Sequence, residues 1–149
     1  MPLNHEHYMR LTLDEANRSG EAVGRPVGAV VVYDGEVVGR SGNRRETLTD
    51  PTAHAEVLAI RDAARNLSRV DLSGCTLYTT LEPCPMCSGA IIVSKVSTVV
   101  VGALSTPQER RFEPVLSMLG WDTQNELITG ILAKECMAVR EKWAARDNG

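Results

Sequence analysis

The spacing of apolar and polar residues in the first third of the chain predicts one helix followed by a hairpin. Apolar positions recur at helical spacing from His5 to Ser19, and Gly20 predicts the end of that helix. Val27 to Tyr33 is a dense β-branched run, and Glu36 to Ser41 alternates between apolar and polar residues. The Asp34-Gly35 pair between the two runs is typical of a two-residue turn. We therefore predict an antiparallel hairpin here.

In the rest of the chain, predicted helices alternate with predicted strands. In order, these are a helix from Ala53 to Asn66, a strand from Cys75 to Leu81, a helix from Met86 to Ser94, a strand from Ser97 to Gly102, a weaker helix from Gln108 to Leu119, a short strand from Glu126 to Thr129 and a closing helix from Ile131 to about Arg146. Such alternation is typical of β-α-β crossovers and a mostly parallel sheet, so we predict an α/β fold. No repeat or boundary divides the chain, and residues 1–149 are expected to form a single domain.

Composition narrows the choice of compartment and partner. The 149 residues include 43% hydrophobic and 23% charged residues, which are values of a globular domain. The net charge of −3 and pI of about 5.6 argue against a surface that binds phosphate backbones all over. Without a bilayer-length apolar run or a signal-peptide core, the protein is expected to be cytoplasmic with no membrane association. Its four cysteines are then expected to be free or metal-bound rather than paired as disulfides.

The candidate chemistry lies in two short motifs that each open a predicted helix. The first contains His54 and Glu56, and the second contains Cys84 and Cys87. One imidazole and two thiolates are suitable ligands for a zinc ion that keeps its fourth position open for water or substrate. Pro51 fits the first turn of the upstream helix, with Thr52 as a possible cap. The positive end of a helix dipole would favour a negatively charged oxygen and the thiolates there.

The H-x-E motif followed by P-C-x-x-C resembles the cytidine deaminase-like superfamily of zinc-dependent nucleobase deaminases. The resemblance extends along nearly the whole chain, through the segments Pro26 to Val30, Asp50 to Glu56, Leu81 to Ala90 and Gly130 to Cys136. It implies a three-layer α/β/α fold around a five-stranded mixed sheet. It also implies one zinc ion per chain, held by His54, Cys84 and Cys87, and a homo-oligomer, most simply a homodimer.

The same resemblance implies roles for four further positions. Glu56 matches the residue that carries protons between water and substrate and is not itself a ligand. Asn43 matches an asparagine that hydrogen-bonds the substrate, although Gly-Asn after a strand is also a common turn. The backbone N–H of Ala55 matches one that holds a polar group of the base. Val27, with Gly28 and Ala29, would form part of a flat wall beside the ring.

The choice of substrate remains open between two classes. Residues 50–56 and 130–136 look like bacterial tRNA adenosine deaminases, and Arg44 and Arg45 could meet phosphates or form a solvated loop. However, residues 102–109 lack the Gly- and Ala-rich insertion of those enzymes, and the C-terminus lacks their basic tail. With the acidic pI, these differences favour a small-molecule substrate: a free nucleobase, nucleoside or related amino-heterocycle of the guanine or cytosine type. A tRNA-specific adenosine deaminase acting at the wobble position is the alternative.

Two further interpretations assign no catalytic activity to the chain. The zinc could be purely structural, with Cys75 or Cys136 as a fourth ligand that closes the site. Both of these cysteines lie inside predicted elements, which favours small buried apolar roles instead. The domain could also be an inactive, zinc-stabilised binding module, but the presence of Glu56 beside all three candidate ligands argues against this.

Overall fold

The hairpin forms as predicted. The structure is a computed structural model that describes residues 3–104 and 126–147. Strands β1 (Gly28–Tyr33) and β2 (Glu36–Gly42) run antiparallel, and Tyr33 pairs with Glu36 across the turn. Asp34 and Gly35 have φ angles of 51° and 77°, as a type I′ turn requires. This turn fixes the register of the sheet edge.

Three further strands complete a five-stranded mixed sheet. They are β3 (Thr76–Leu81), β4 (Thr98–Ala103) and β5 (Glu126–Thr129), and the strand order is β2-β1-β3-β4-β5. Strand β1 is antiparallel to both of its neighbours, whereas β3, β4 and β5 are parallel. The predicted mixed sheet is therefore confirmed, including the bounds of its last strand.

Helices cover both faces of this sheet. They are α1 (His5–Val23), α2 (Arg45–Leu48), α3 (Ala55–Leu67), α4 (Pro85–Ser94) and α5 (Ala133–Asp147). Successive strand residues point to opposite faces, so Val31 joins the core under α3 and α4 while Val30 joins the core under α1 and α5. The predicted three-layer α/β/α architecture is confirmed. No helix in the described part of the chain combines the length and apolar character of a membrane span.

Gly20 does not end the first helix, contrary to the prediction. Helix α1 continues to Val23 and ends at Gly24, whose φ of 70° is left-handed and whose N–H donates to the carbonyl of Gly20. Gly20 instead lies against the ring of Trp143 on α5, and a Cβ atom there would be 2.4 Å from that ring. The glycine therefore allows two helices to approach closely, which local sequence alone does not reveal.

The start of α3 also differs from the prediction. Pro51 and Thr52 lie in a turn before the helix, and His54 occupies the N-cap position. The turn is held by Asp50, whose Oδ1 accepts hydrogen bonds from the backbone N–H and hydroxyl of Thr52. Residues 45–48 form the single turn of α2. The predicted helix at residues 108–119 lies outside the described residues.

The contact between Gly20 and Trp143 predicts that Gly20→Ala destabilises the protein, opposite to the usual effect of this substitution inside a helix. Gly to Ala inside a helix normally stabilises by about 0.5–1 kcal/mol, but here the new methyl group must displace an indole ring. We expect Gly20→Ala to lower the free energy of unfolding by about 1–3 kcal/mol. In a Trp143→Leu background, the same substitution should become neutral or stabilising. Urea denaturation of the four proteins of this cycle measures the difference, and equal effects in both backgrounds would contradict it.

Candidate active site

Two helix starts on the same face of the sheet bring the predicted metal ligands together. His54 is the N-cap of α3, Cys84 is the N-cap of α4, and Cys87 lies in the first turn of α4. Pro85 at the first position of α4 fixes a backbone angle suited to helix initiation. His54 Nδ1 is 3.5 Å from each of the two Sγ atoms, and these are 3.5 Å from each other.

This triangle fits a zinc ion. With Zn–S and Zn–N lengths of about 2.3 and 2.0 Å, tetrahedral coordination places neighbouring ligand atoms roughly 3.5–3.8 Å apart. Within residues 3–104 and 126–147, no fourth His, Cys, Asp or Glu joins the three-residue group. Cys75 and Cys136 are buried in separate apolar cores on opposite faces of the sheet. These two cysteines therefore do not close the site.

The helix start also prepares a thiolate. The Cys87 thiol hydrogen-bonds Cys84, and this contact is the main cause that lowers the pKa of Cys84 to about 5, helped by backbone N–H groups and by His54. In the metal-free pair, the pKa of Cys87 is raised because Cys84 carries the first negative charge and the site is buried. A divalent cation would compensate the negative charges of both thiolates, so this set of ligand atoms favours metal binding.

Glu56 lies buried beside the ligands, with 4% of its surface exposed. Burial is the largest cause that raises the pKa of its carboxyl group. The Thr79 hydroxyl is 3.0 Å from Glu56 Oε1 and 2.9 Å from the carbonyl of Leu81. A hydroxyl has one proton and two acceptor sites, so Thr79 can donate to the Glu56 carboxylate, or donate to Leu81 and accept from protonated Glu56. Either protonation state of Glu56 thus has a partner.

The three residues predicted to contact the substrate line one cavity next to the candidate metal ligands. Asn43, Ala55 and Val27 all line this cavity of about 390 Å³, whereas Gly28 and Ala29 do not. Asn43 Oδ1 accepts a hydrogen bond from the backbone N–H of Arg45, so Asn43 does stabilise the turn. Its Nδ2 group does not take part in this bond and can donate to another acceptor. The N–H of Ala55, the first residue of α3, has no backbone partner in the described part of the chain.

Sequence reasoning missed two features of this site. Thr79 is a polar residue inside a buried strand, a signal that marks a candidate but does not show what it contacts. The cavity is also lined by Arg25, Arg45 and Arg140, of which only Arg45 was considered from sequence. Arg25 forms an ion pair of 2.8 Å with Glu46, and Arg45 Nε is buried without a hydrogen-bond partner in the described residues.

The chain is similar in sequence and in fold to known deaminases. The chain is 39% identical to the tRNA-specific adenosine deaminase of Bacillus subtilis strain 168, over 96% of each chain. A solved structure from a study of A-to-I editing by tRNA:A34 deaminases at the wobble position has a TM-score of 0.80 and 37% identity, with 89% of this chain and 98% of that chain covered. Guanine deaminase from Nitrosomonas europaea has a TM-score of 0.84 and 28% identity, with 97% and 86% covered.

A family model also matches most of the chain. The match is to the zinc-binding region of cytidine and deoxycytidylate deaminases and extends over residues 2–103. That range contains both helix starts, all three candidate ligands and the cavity beside them, except for Arg140. The chain therefore belongs to the family of zinc-dependent deaminases that share the cytidine and deoxycytidylate deaminase zinc-binding region, enzymes that hydrolyse C–N bonds.

Proposed function

We propose that this protein is a tRNA-specific adenosine deaminase that converts adenosine to inosine and releases ammonia. The observation that carries the proposal is the similarity to the Bacillus subtilis enzyme of that name over 96% of both chains. This similarity supports the tRNA alternative over the free nucleobase or nucleoside that the acidic pI and the C-terminal differences favoured. Overall charge is a weaker guide than this similarity, because binding depends on the charge near the site.

The proposed chemistry assigns proton transfer to Glu56. Bound by His54, Cys84 and Cys87, zinc would supply a Lewis acid that makes water nucleophilic near neutral pH. The Glu56 carboxylate accepts the first proton of the attacking water and delivers it to the ring nitrogen. It then takes the second proton, from the new hydroxyl on the attacked carbon, and delivers it to the departing amine as the C–N bond breaks. One water thus replaces one amine, which leaves as ammonia. Thr79 keeps the carboxyl group in place in both protonation states.

Three groups would hold the base in the cavity. The Asn43 Nδ2 group is available to donate to a substrate acceptor because its Oδ1 already accepts from Arg45. The Ala55 N–H at the start of α3 would hold a polar group on the base. Val27 is partly buried against the core and would contact the face of the ring. These roles keep the reacting carbon close to the metal ligands and Glu56.

The cavity lining suits a substrate that carries phosphates. Arg25, Arg45 and Arg140 line the cavity, against the two acidic residues Glu56 and Glu82, so phosphates beside the target nucleotide would meet guanidinium groups. A neutral free base would not use these charges. The three arginines therefore support a nucleotide within RNA as the substrate.

A second candidate is deamination of guanine. The TM-score of 0.84 with the Nitrosomonas europaea guanine deaminase supports it, because this chain shares the fold of that enzyme. An assay with both substrates separates the candidates directly.

We also propose a homodimer in which α4 is covered. This helix is apolar all round, as expected of a buried helix, yet Met86, Ile92 and Val93 are exposed by 37%, 41% and 79%. An isolated chain would leave this patch in water beside the metal ligands. Pairing of two copies through α4 would bury the patch and stiffen the helix that carries Cys84 and Cys87.

The ligand assignment predicts the metal content of single variants. The purified protein should contain about one zinc per chain, because three ligands and a water complete the coordination. Cys84→Ala and Cys87→Ala should lose most of this zinc, measured by elemental analysis after dialysis. Cys75→Ala is the matched control, since Cys75 is buried in the core away from the site. The assignment would be contradicted if Cys75→Ala lost its zinc while Cys84→Ala and Cys87→Ala retained theirs.

The proton-transfer role predicts the behaviour of Glu56→Gln. We expect this variant to retain zinc while inosine formation in tRNA falls by about 10²–10⁴-fold, the typical contribution of a positioned acid–base group. Glu36→Gln, at an exposed position of the hairpin, should leave the rate unchanged. Parallel assays of ammonia release from guanine, cytosine and adenosine identify the substrate. Inosine formation at the normal rate by Glu56→Gln would refute the role, and activity on guanine alone would replace the tRNA proposal.

The dimer proposal predicts a difference between two exposed valines. Val93→Glu should shift the protein to a monomer in analytical ultracentrifugation, because the new charge would be buried between two copies of α4. Val70→Glu changes a residue that is 88% exposed elsewhere and should leave the dimer intact. A dimer that survives Val93→Glu would place the interface on another surface.

A further inference from the structure

A second cavity, of about 380 Å³, lies outside the active site and is lined mainly by arginines. It is a groove between the outer face of α3 and the chain that leads from β2 into α2. Four arginines line it, namely Arg40, Arg44, Arg61 and Arg65, with Asp62 as the single acidic residue. We call these four residues the arginine groove. Such a local excess of positive charge is unexpected in a chain of net charge −3.

Three of the four arginines are available to a ligand. Arg40 is held by an ion pair between its Nε and Glu15, at 2.6 Å. Arg44, Arg61 and Arg65 are exposed, and none forms an ion pair within 4 Å in the portion of the chain that the structure describes. Asp62 does not neutralise them by a direct pair, since its carboxylate accepts the backbone N–H of Arg40 at 3.1 Å. The groove therefore presents three guanidinium groups without a direct ion pair among the described residues. Asp62 in the groove and Asp50, which Arg61 influences electrostatically, are the acidic groups near them.

The groove adjoins the active-site cavity along the chain, and a further cavity is lined both by Asn43 and by Arg40 and Arg44. Arg44 lies between Asn43 and Arg45, which both line the active-site cavity. The N–H of Arg44 donates to the carbonyl of Ala53 at 3.0 Å, which fixes this segment next to the ligand His54. A strand of nucleic acid that leaves the cavity at Asn43 would therefore pass beside Arg44.

Helix α3 sets the spacing of the other two arginines. At 1.5 Å per residue, Arg61 and Arg65 lie about 10 and 16 Å along the helix axis from His54, and about 6 Å from each other on the same face. The groove also contains Leu48, which is 44% exposed, and Leu58. The combination of charges at regular intervals with a small apolar surface suits an extended chain of phosphates and riboses better than a single small anion.

We propose that the arginine groove binds the phosphodiester backbone of the RNA substrate, on one side of the nucleotide that enters the active site. The inference rests on the proposed function, because it names the surface that holds the tRNA outside the cavity. Guanidinium groups match phosphate oxygens in a fork geometry and are weakly hydrated, which makes arginine a preferred residue for this contact. The groove provides affinity through charge and leaves recognition of the target base to the cavity.

The test uses the zinc-loaded full chain and an anticodon stem-loop RNA. In the double variant Arg61→Gln/Arg65→Gln, we expect KM to rise about tenfold or more near 0.15 M salt while kcat stays within about twofold. The slope of log affinity against log salt concentration should decrease in magnitude by about 1.4, since each contact to a single strand contributes about 0.7. Arg10→Gln, which changes an exposed arginine of α1 outside the groove, should change neither quantity. Arg61→Lys/Arg65→Lys should keep the slope, because charge is retained.

Three outcomes distinguish the arginine-groove proposal from the proposed function, provided that all variants match the parent in zinc content and melting temperature. An unchanged salt slope in the Gln double variant, with normal inosine formation, overturns the arginine groove and leaves the proposed function intact. Salt-dependent RNA binding that requires Arg61 and Arg65, without any inosine formation, overturns the proposed function and supports the groove. A parent protein that does not bind the RNA overturns both.

Discussion

The structure depends on the meeting of two helix starts over one face of the sheet. The N-termini of α3 and α4 bring His54, Cys84 and Cys87 to mutual distances of 3.5 Å. Backbone N–H groups and the Cys87 thiol lower the pKa of Cys84, and the second thiol keeps its proton only as long as no cation compensates the charge. Without a metal, two thiolates held this close together repel each other, and a divalent ion would compensate their charges. The geometry of the fold therefore favours metal binding.

The sheet supplies the rigidity that this arrangement needs. Strands β3 and β4 are parallel neighbours joined through α4, so the start of α4 is fixed at the end of a buried strand. Glu56 is held by Thr79 of β3, across from its own helix. Glu56 and His54 thus come from the start of α3 and the two cysteines from the start of α4, and the same sheet positions both helices. A change in the packing of α3 would move Glu56 and His54 together.

Local patterns predicted most of the fold and the ligands. The Asp34-Gly35 turn, the apolar strands and the H-x-E and P-C-x-x-C motifs each depend on residues close in the chain, so sequence was sufficient for them. Gly20 was misinterpreted because its small size serves a contact with Trp143, which lies 123 positions away in the printed sequence. The preference for a small-molecule substrate came from residues 102–109, the C-terminus and the overall charge. Overall charge averages over surfaces that the fold separates. The arginine groove illustrates this, since its members come from β2, α3 and the connection between them.

The central claim is a metal held by three protein ligands with one position left for water. X-ray absorption at the zinc edge of the purified protein tests it most directly. The account predicts two sulfur atoms at about 2.3 Å together with light-atom ligands at about 2.0–2.1 Å, one of them the His54 nitrogen. A first shell with three or four sulfur atoms would show a closed structural site. That result would contradict the hydrolytic account.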